Sequence, residues 1–109
     1  MDDPYLLIYC TCPDQALAER LAEALVADRL AACVNIVPGI NSVYRWQDEV
    51  QHDFELLLLI KTRSECYPAL EARIRELHSY EVPEIIAVPI QRGSEAYLGW
   101  IDTSVGAAS

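Results

Sequence analysis

Basic residues are scarce in this sequence. Eight Lys and Arg stand against seventeen Asp and Glu, a formal charge of −9. Such a chain repels phosphate backbones and anionic headgroups, so neither nucleic acid nor a membrane surface is an expected partner. The acidic excess by itself serves solubility and is a weak argument for a specific metal site. Long apolar runs are missing too. Runs such as Leu56 to Ile60 are strand-sized against the roughly 18 residues needed to cross a bilayer, so no membrane insertion is expected. The opening Met-Asp-Asp-Pro has no basic region ahead of an apolar run, which predicts no secretory signal and a cytoplasmic protein. A Gly-rich phosphate loop, a G-x-S-x-G elbow and an HExxH helix are all absent, and the expectation is a protein that is not an enzyme. There are no repeats or linkers, and residues 1–109 read as a single domain with an ordered core from about 4 to 103.

What is present reads as alternating strands and helices. Tyr5 to Cys10 is an apolar run of strand length that stops at Cys12-Pro13-Asp14, a helix-start signal. Leu17, Leu21, Ala24 and Leu25 then recur at helical spacing up to about Asp28. Ala31 to Trp46 is a long strand with Pro38-Gly39 in its middle, which predicts a bend or bulge and an edge position, where a lost donor is tolerated. Trp46 to Glu49 forms a hairpin turn into a strand from Val50 to Thr62. Ser64 is placed to cap a second helix carrying Cys66, Leu70, Ile74 and Leu77 on one face. Ile85 to Ile90 is the last strand, Gly93-Ser94 opens a short helix, and the tail from Ser104 is expected to fray. The order β-α-β-β-α-β plus a short C-terminal helix predicts an α+β ferredoxin-like sandwich. Its antiparallel four-stranded sheet carries an extended hairpin between the second and third strands.

Helices on one face leave the other face of that sheet bare. A half-solvated strand should alternate apolar with polar. Gln51, Asp53 and Glu55 do alternate with Val50, His52 and Phe54, but Leu56 to Ile60, Ile85 to Val88 and Leu6 to Ile8 put large apolar groups on both faces. Each such side chain left in water forgoes roughly 1.5–3 kcal/mol of burial, and several together rival a domain's whole stability of about 5–15 kcal/mol. Self-association is the expected cover.

Several blocks then resemble a known family. Leu30-Ala31-Ala32-Cys33-Val34-Asn35-Ile36 runs into Pro38-Gly39-Ile40, followed by Ser42, Tyr44 and Trp46. Further along come Ile60-Lys61-Thr62, Tyr80-Glu81-Val82-Pro83-Glu84-Ile85 and Tyr97-Leu98 with Trp100-Ile101. Together they resemble the divalent-cation tolerance (CutA) family over Tyr5 to Ile101. The resemblance implies a ferredoxin-like protomer in a homotrimer like that of the PII signalling proteins, and a role in tolerance of copper and other divalent metal ions. It also implies metal ligation by Cys10, at the end of the first strand, and His78, at the end of the second helix. The chain departs from the pattern at Leu77, where some members carry another histidine, at Ser79 in place of Pro, and at Gln47-Asp48 in place of a Gly-containing turn.

The chemistry has its own logic. Thiolate and imidazole suit copper(II) or zinc, and Cys12 shares a strand face with Cys10 as a further donor. The plainer alternative makes Cys10 the end of a strand and His78 a helix-end residue beside the dipole. His52 reads as a partly covered structural residue. Tyr44, Trp46 and Tyr80 with Glu81 and Glu84 either line a cleft between subunits or, the preferred reading, pack an interface. Two functions follow: a trimeric divalent-cation tolerance protein, or a PII-like regulatory module holding a small molecule or partner segment in intersubunit clefts. A protein-anchoring scaffold is a third.

Overall fold

The computed structural model describes residues 3–106. Its elements are β1 (Tyr5–Cys12), α1 (Gln15–Ala27), β2 (Cys33–Trp46), β3 (Glu49–Arg63), a 3-10 turn (Ser64–Cys66), α2 (Tyr67–Leu77), β4 (Ile85–Pro89) and α3 (Glu95–Ser104). The sheet runs β2-β3-β1-β4 with every pairing antiparallel. This is the expected α+β arrangement, and β2 is an edge strand, as Pro38 requires.

Alternation along the strands sorts the residues between faces. Leu6, Ile8, Cys10 and Cys12 of β1 pair with Thr62, Ile60, Leu58 and Leu56 of β3. Of this inner set Ile8, Cys10, Cys12, Leu58 and Ile60 are buried with Ala18, Leu21 and Leu25 of α1 and Leu70 and Ile74 of α2 in one core, and Leu6 and Leu56 pack half-buried against it. The opposite face carries Leu7, Tyr9, Leu57 and Leu59, all half-buried, with Ile86 and Val88 exposed beside them. Apolar groups therefore line both faces.

The helices start where local chemistry dictates. The Asp14 carboxylate accepts from Leu17 N–H at 2.8 Å, capping α1. The α2 start differs from expectation. Ser64 does not cap it: the Ser64 hydroxyl donates to the Asp3 carbonyl and its N–H to the Pro4 carbonyl, so a 3-10 turn intervenes and α2 begins at Tyr67. The tail also differs. Val105 is buried beside Ile101, Ala32 and Cys66, and Gly106 N–H donates to the Arg29 carbonyl at 2.9 Å, so residues 104–106 are packed; residues 107–109 lie outside the described ones.

The β2–β3 hairpin outruns the sheet. β1 ends at Cys12, opposite Leu56, so beyond that point β2 and β3 pair only with each other. A register shift between Val37 and Ile40 brackets Pro38-Gly39, with Gly39 at φ 77°, and Gln47 and Asp48 turn the hairpin with φ of 52° and 66°. Positive φ at both central residues is the I′ geometry that matches strand twist. The projecting ribbon gives the molecule its long axis, 46 Å against 25 and 23 Å. His52 is exposed there rather than partly covered, because nothing in the protomer reaches that far. Phe54 is 78% exposed for the same reason.

Candidate metal centre

Three candidate ligands, two thiols and an imidazole, converge where β1 ends. Cys10 and Cys12 are two apart on an extended strand and so face the same way, toward the helices. The C-terminus of α2 brings His78 over them. The Sγ atoms of Cys10 and Cys12 and a ring nitrogen of His78 all lie within 4.8 Å of one another, and all three residues are buried. Of the sequence-based candidates, Cys10 and His78 meet, and Cys12 joins them. All four cysteines are free.

The imidazole is held by backbone on both sides. Nε2–H donates to the Thr11 carbonyl at 2.8 Å, and Nδ1 accepts from Tyr80 N–H at 3.1 Å. Coordination through Nδ1 would displace the Tyr80 bond and leave Nε2–H on the Thr11 carbonyl, the kind of second contact that usually orients a ligating histidine. The two thiols divide their roles. A hydrogen bond with Cys10 holds the Cys12 thiol down at about 6, against the cost of burial and with help from His78. The same bond, reinforced by burial, pushes Cys10 well up, so it remains the protonated donor of the pair. Of the two, Cys12 is the one that gives up its proton more readily, and a cation held by both sulfurs would have to displace the Cys10 proton as well. Two sulfurs and one imidazole suit zinc or copper and are too soft a set for magnesium or calcium.

Next to this cluster opens a cavity of about 640 Å³ between the hairpin and the 79–84 loop, lined among others by Thr11, Tyr44, Trp46, Glu55, Tyr80 and Glu84. The Tyr80 hydroxyl donates to Glu55 Oε2 at 2.6 Å, and its ring lies 4.7 Å from that of His78. Thr11 and Tyr80 thus serve both places. Sequence reasoning set Glu55 among the polar residues of a solvated face; the structure buries it, with 7% exposure. Its position after Phe54 and before the leucine run was the only signal, and it pointed to neither outcome.

A family model described as CutA1 divalent ion tolerance protein matches residues 6–104. The chain belongs to that family. The divalent-cation tolerance protein CutA of Thermus thermophilus is 51% identical over 100 residues, covering 92% of this chain and 97% of that protein. The chloroplastic CutA protein of Arabidopsis thaliana is 48% identical over 101 residues, covering 93% of this chain and 56% of the longer plant protein. Among solved structures, CutA1 from Oryza sativa superposes with a TM-score of 0.93 at 45% identity, with 97% of each chain covered. CutA1 from a psychrotrophic Shewanella gives 0.94 at 41% identity, covering 98% of this chain and all of that one. This CutA chain therefore shares its whole β-α-β-β-α-β plan with proteins of cation tolerance. No helix among its described residues is long and apolar enough to cross a membrane.

Proposed function

We propose that the protein is a cytoplasmic, homotrimeric divalent-cation tolerance protein that binds a copper or zinc ion on Cys10, Cys12 and His78, and that it is not an enzyme. The observation that carries the metal reading is the meeting of two sulfurs and an imidazole nitrogen within 4.8 Å in a buried corner. Family membership supplies the role, tolerance of divalent cations. Two further features support assembly. The outer sheet face leaves Ile86 53% exposed beside Val88, Leu57 and Leu59, more apolar surface than a soluble monomer keeps wet. The sheet also ends in two unlike edges, a 14-residue β2 and a 5-residue β4. Pairing one copy's β2 edge with the next copy's β4 edge would be a head-to-tail contact, which closes into a three-membered ring when successive copies are rotated by a third of a turn.

Anaerobic titration calorimetry with Zn(II) and Cu(II) tests the metal reading. Wild type should bind with a proton release that tracks the displaced Cys10 proton. Cys10→Ser, Cys12→Ser and His78→Ala should each weaken binding at least tenfold. Unchanged affinity in all three variants removes the assignment.

A further inference from the structure

We propose that the cavity between the hairpin and the 79–84 loop binds a small organic cation bearing N–H donors, an alkyl- or arylalkylammonium. Glu55 is a carboxylate with only 7% of its surface exposed, and it lines the cavity. Its sole hydrogen-bond partner among the described residues is the Tyr80 hydroxyl, on Oε2. No Lys, Arg or His pairs with it, since the ion pairs of the described residues involve other acids. An ionised carboxylate has about four acceptor positions, and one neutral hydroxyl fills one of them. A buried charge left without a counter-charge is costly, so the remaining lone pairs of Glu55 favour a cation.

The rest of the lining narrows the class of cation. Tyr44, Trp46 and Tyr80 give the cavity aromatic walls, and Glu81 and Glu84 add carboxylates without one basic side chain. Aromatic faces attract ammonium groups, most strongly when Trp supplies the face. They offer no donor atoms to a metal ion, and among the described residues the carboxylates of Glu55, Glu81 and Glu84 do not come together as a group able to ligate one. Carboxylates on the wall oppose phosphates and other anions. The space, about 640 Å³, falls within the roughly 300–1,000 Å³ of small-molecule sites. Between ammonium classes, Glu55 decides: its open lone pairs reward a donor N–H, which a quaternary nitrogen lacks. The site shares Thr11 and Tyr80 with the metal cluster but none of its proposed ligands, so binding measured with a chelator present tests it separately from the metal reading.

Benzylammonium is the probe, titrated into the full-length protein in its assembled form at constant ionic strength and with a chelator present. Binding is followed by calorimetry and by the Trp46 indole N–H in 1H–15N NMR spectra. Benzyltrimethylammonium and phenylacetate serve as the quaternary and anionic comparisons. Saturable binding of benzylammonium is expected, several-fold tighter than the quaternary ion, with none for phenylacetate. Glu55→Gln keeps an acceptor for Tyr80 while removing the charge, and should weaken binding about tenfold or more. Trp46→Leu tests the aromatic wall should Glu55→Gln fail to fold, and should weaken binding several-fold. Glu95→Gln, on exposed α3, should leave it unchanged. Absence of saturable binding, as when a neighbouring copy's side chain fills the space, overturns the proposal. So does binding equal to that of phenylacetate, or binding indifferent to both the Glu55 and Trp46 variants.

Discussion

Replacing Tyr80 with Phe should cost this protein far more than one hydroxyl on a loop ordinarily would. The hydroxyl donates to Glu55 Oε2 at 2.6 Å, and Glu55 is 7% exposed with no other partner among the described residues. A hydrogen bond to a charged group is worth about 1.5–3 kcal/mol net, and a buried acceptor left unmatched forfeits its solvation as well. The expected loss for Tyr80→Phe is therefore about 1.5–3 kcal/mol. For a domain near this size that lowers the Tm by about 4–8 °C per kcal/mol. Urea and thermal denaturation followed by circular dichroism would read it, on Tyr80→Phe, Glu55→Gln and the double variant. The cycle isolates the pair's coupling, because the ring of Phe fills the same space. A pH dependence follows as well. Burial, then the bond to Glu55, holds the Tyr80 phenol above its ordinary value. A proton held more tightly in the folded state stabilises fully below the unfolded tyrosine value of about 10 and is lost as pH rises from there toward the folded value. The gap between wild type and Tyr80→Phe should stay constant from neutral pH to about 10 and shrink above it. A neutral-pH difference under about 0.5 kcal/mol, the scatter of ordinary surface substitutions, would refute the account of Glu55 as a buried charge with one partner.

Two further outcomes are expected. Ile86→Glu places a charge on the exposed apolar sheet face at its β4 edge; sedimentation equilibrium should fall from the proposed trimer, three times the 12.2 kDa protomer, toward one, and an unchanged assembly would locate the interface elsewhere. Cys12 should titrate near pH 6 by thiolate absorbance and move toward the ordinary cysteine range in Cys10→Ala, because the Cys10 hydrogen bond is the largest influence lowering it. This thiolate stabilises the fold above the unfolded cysteine value of about 8.5, and the contribution disappears as pH falls through 6. A titration unmoved in Cys10→Ala would show that the two sulfurs do not share a proton.

The elements were legible because their signals are local. Leu17, Leu21 and Leu25 repeat at helical spacing, and Pro38-Gly39 marks the bulge that separates Val37 from Ile40 in the β2 register. Apolar side chains on both faces of β3 showed that one protomer leaves a surface uncovered, and Leu57, Leu59, Ile86 and Val88 occupy that surface. Cys10 and His78 were legible through family resemblance, and Cys12 through the two-residue period of a strand. Ser64 misled because a hydroxyl directly after a strand has more than one backbone group in reach, and the Asp3 carbonyl took it.

The order of strands and helices, the edge position of β2 and the doubly apolar sheet are properties of residue type and spacing, and the sequence alone determined them. The meeting of His78 with two sulfurs 66 and 68 residues earlier, and of Tyr80 with Glu55, depends on where the end of α2 lands on the sheet. Only tertiary packing decided that landing. Local propensity carries no information about which strand end a distant helix terminus will reach, so the convergence of the three ligands and the burial of Glu55 against Tyr80 were decided only in the folded chain.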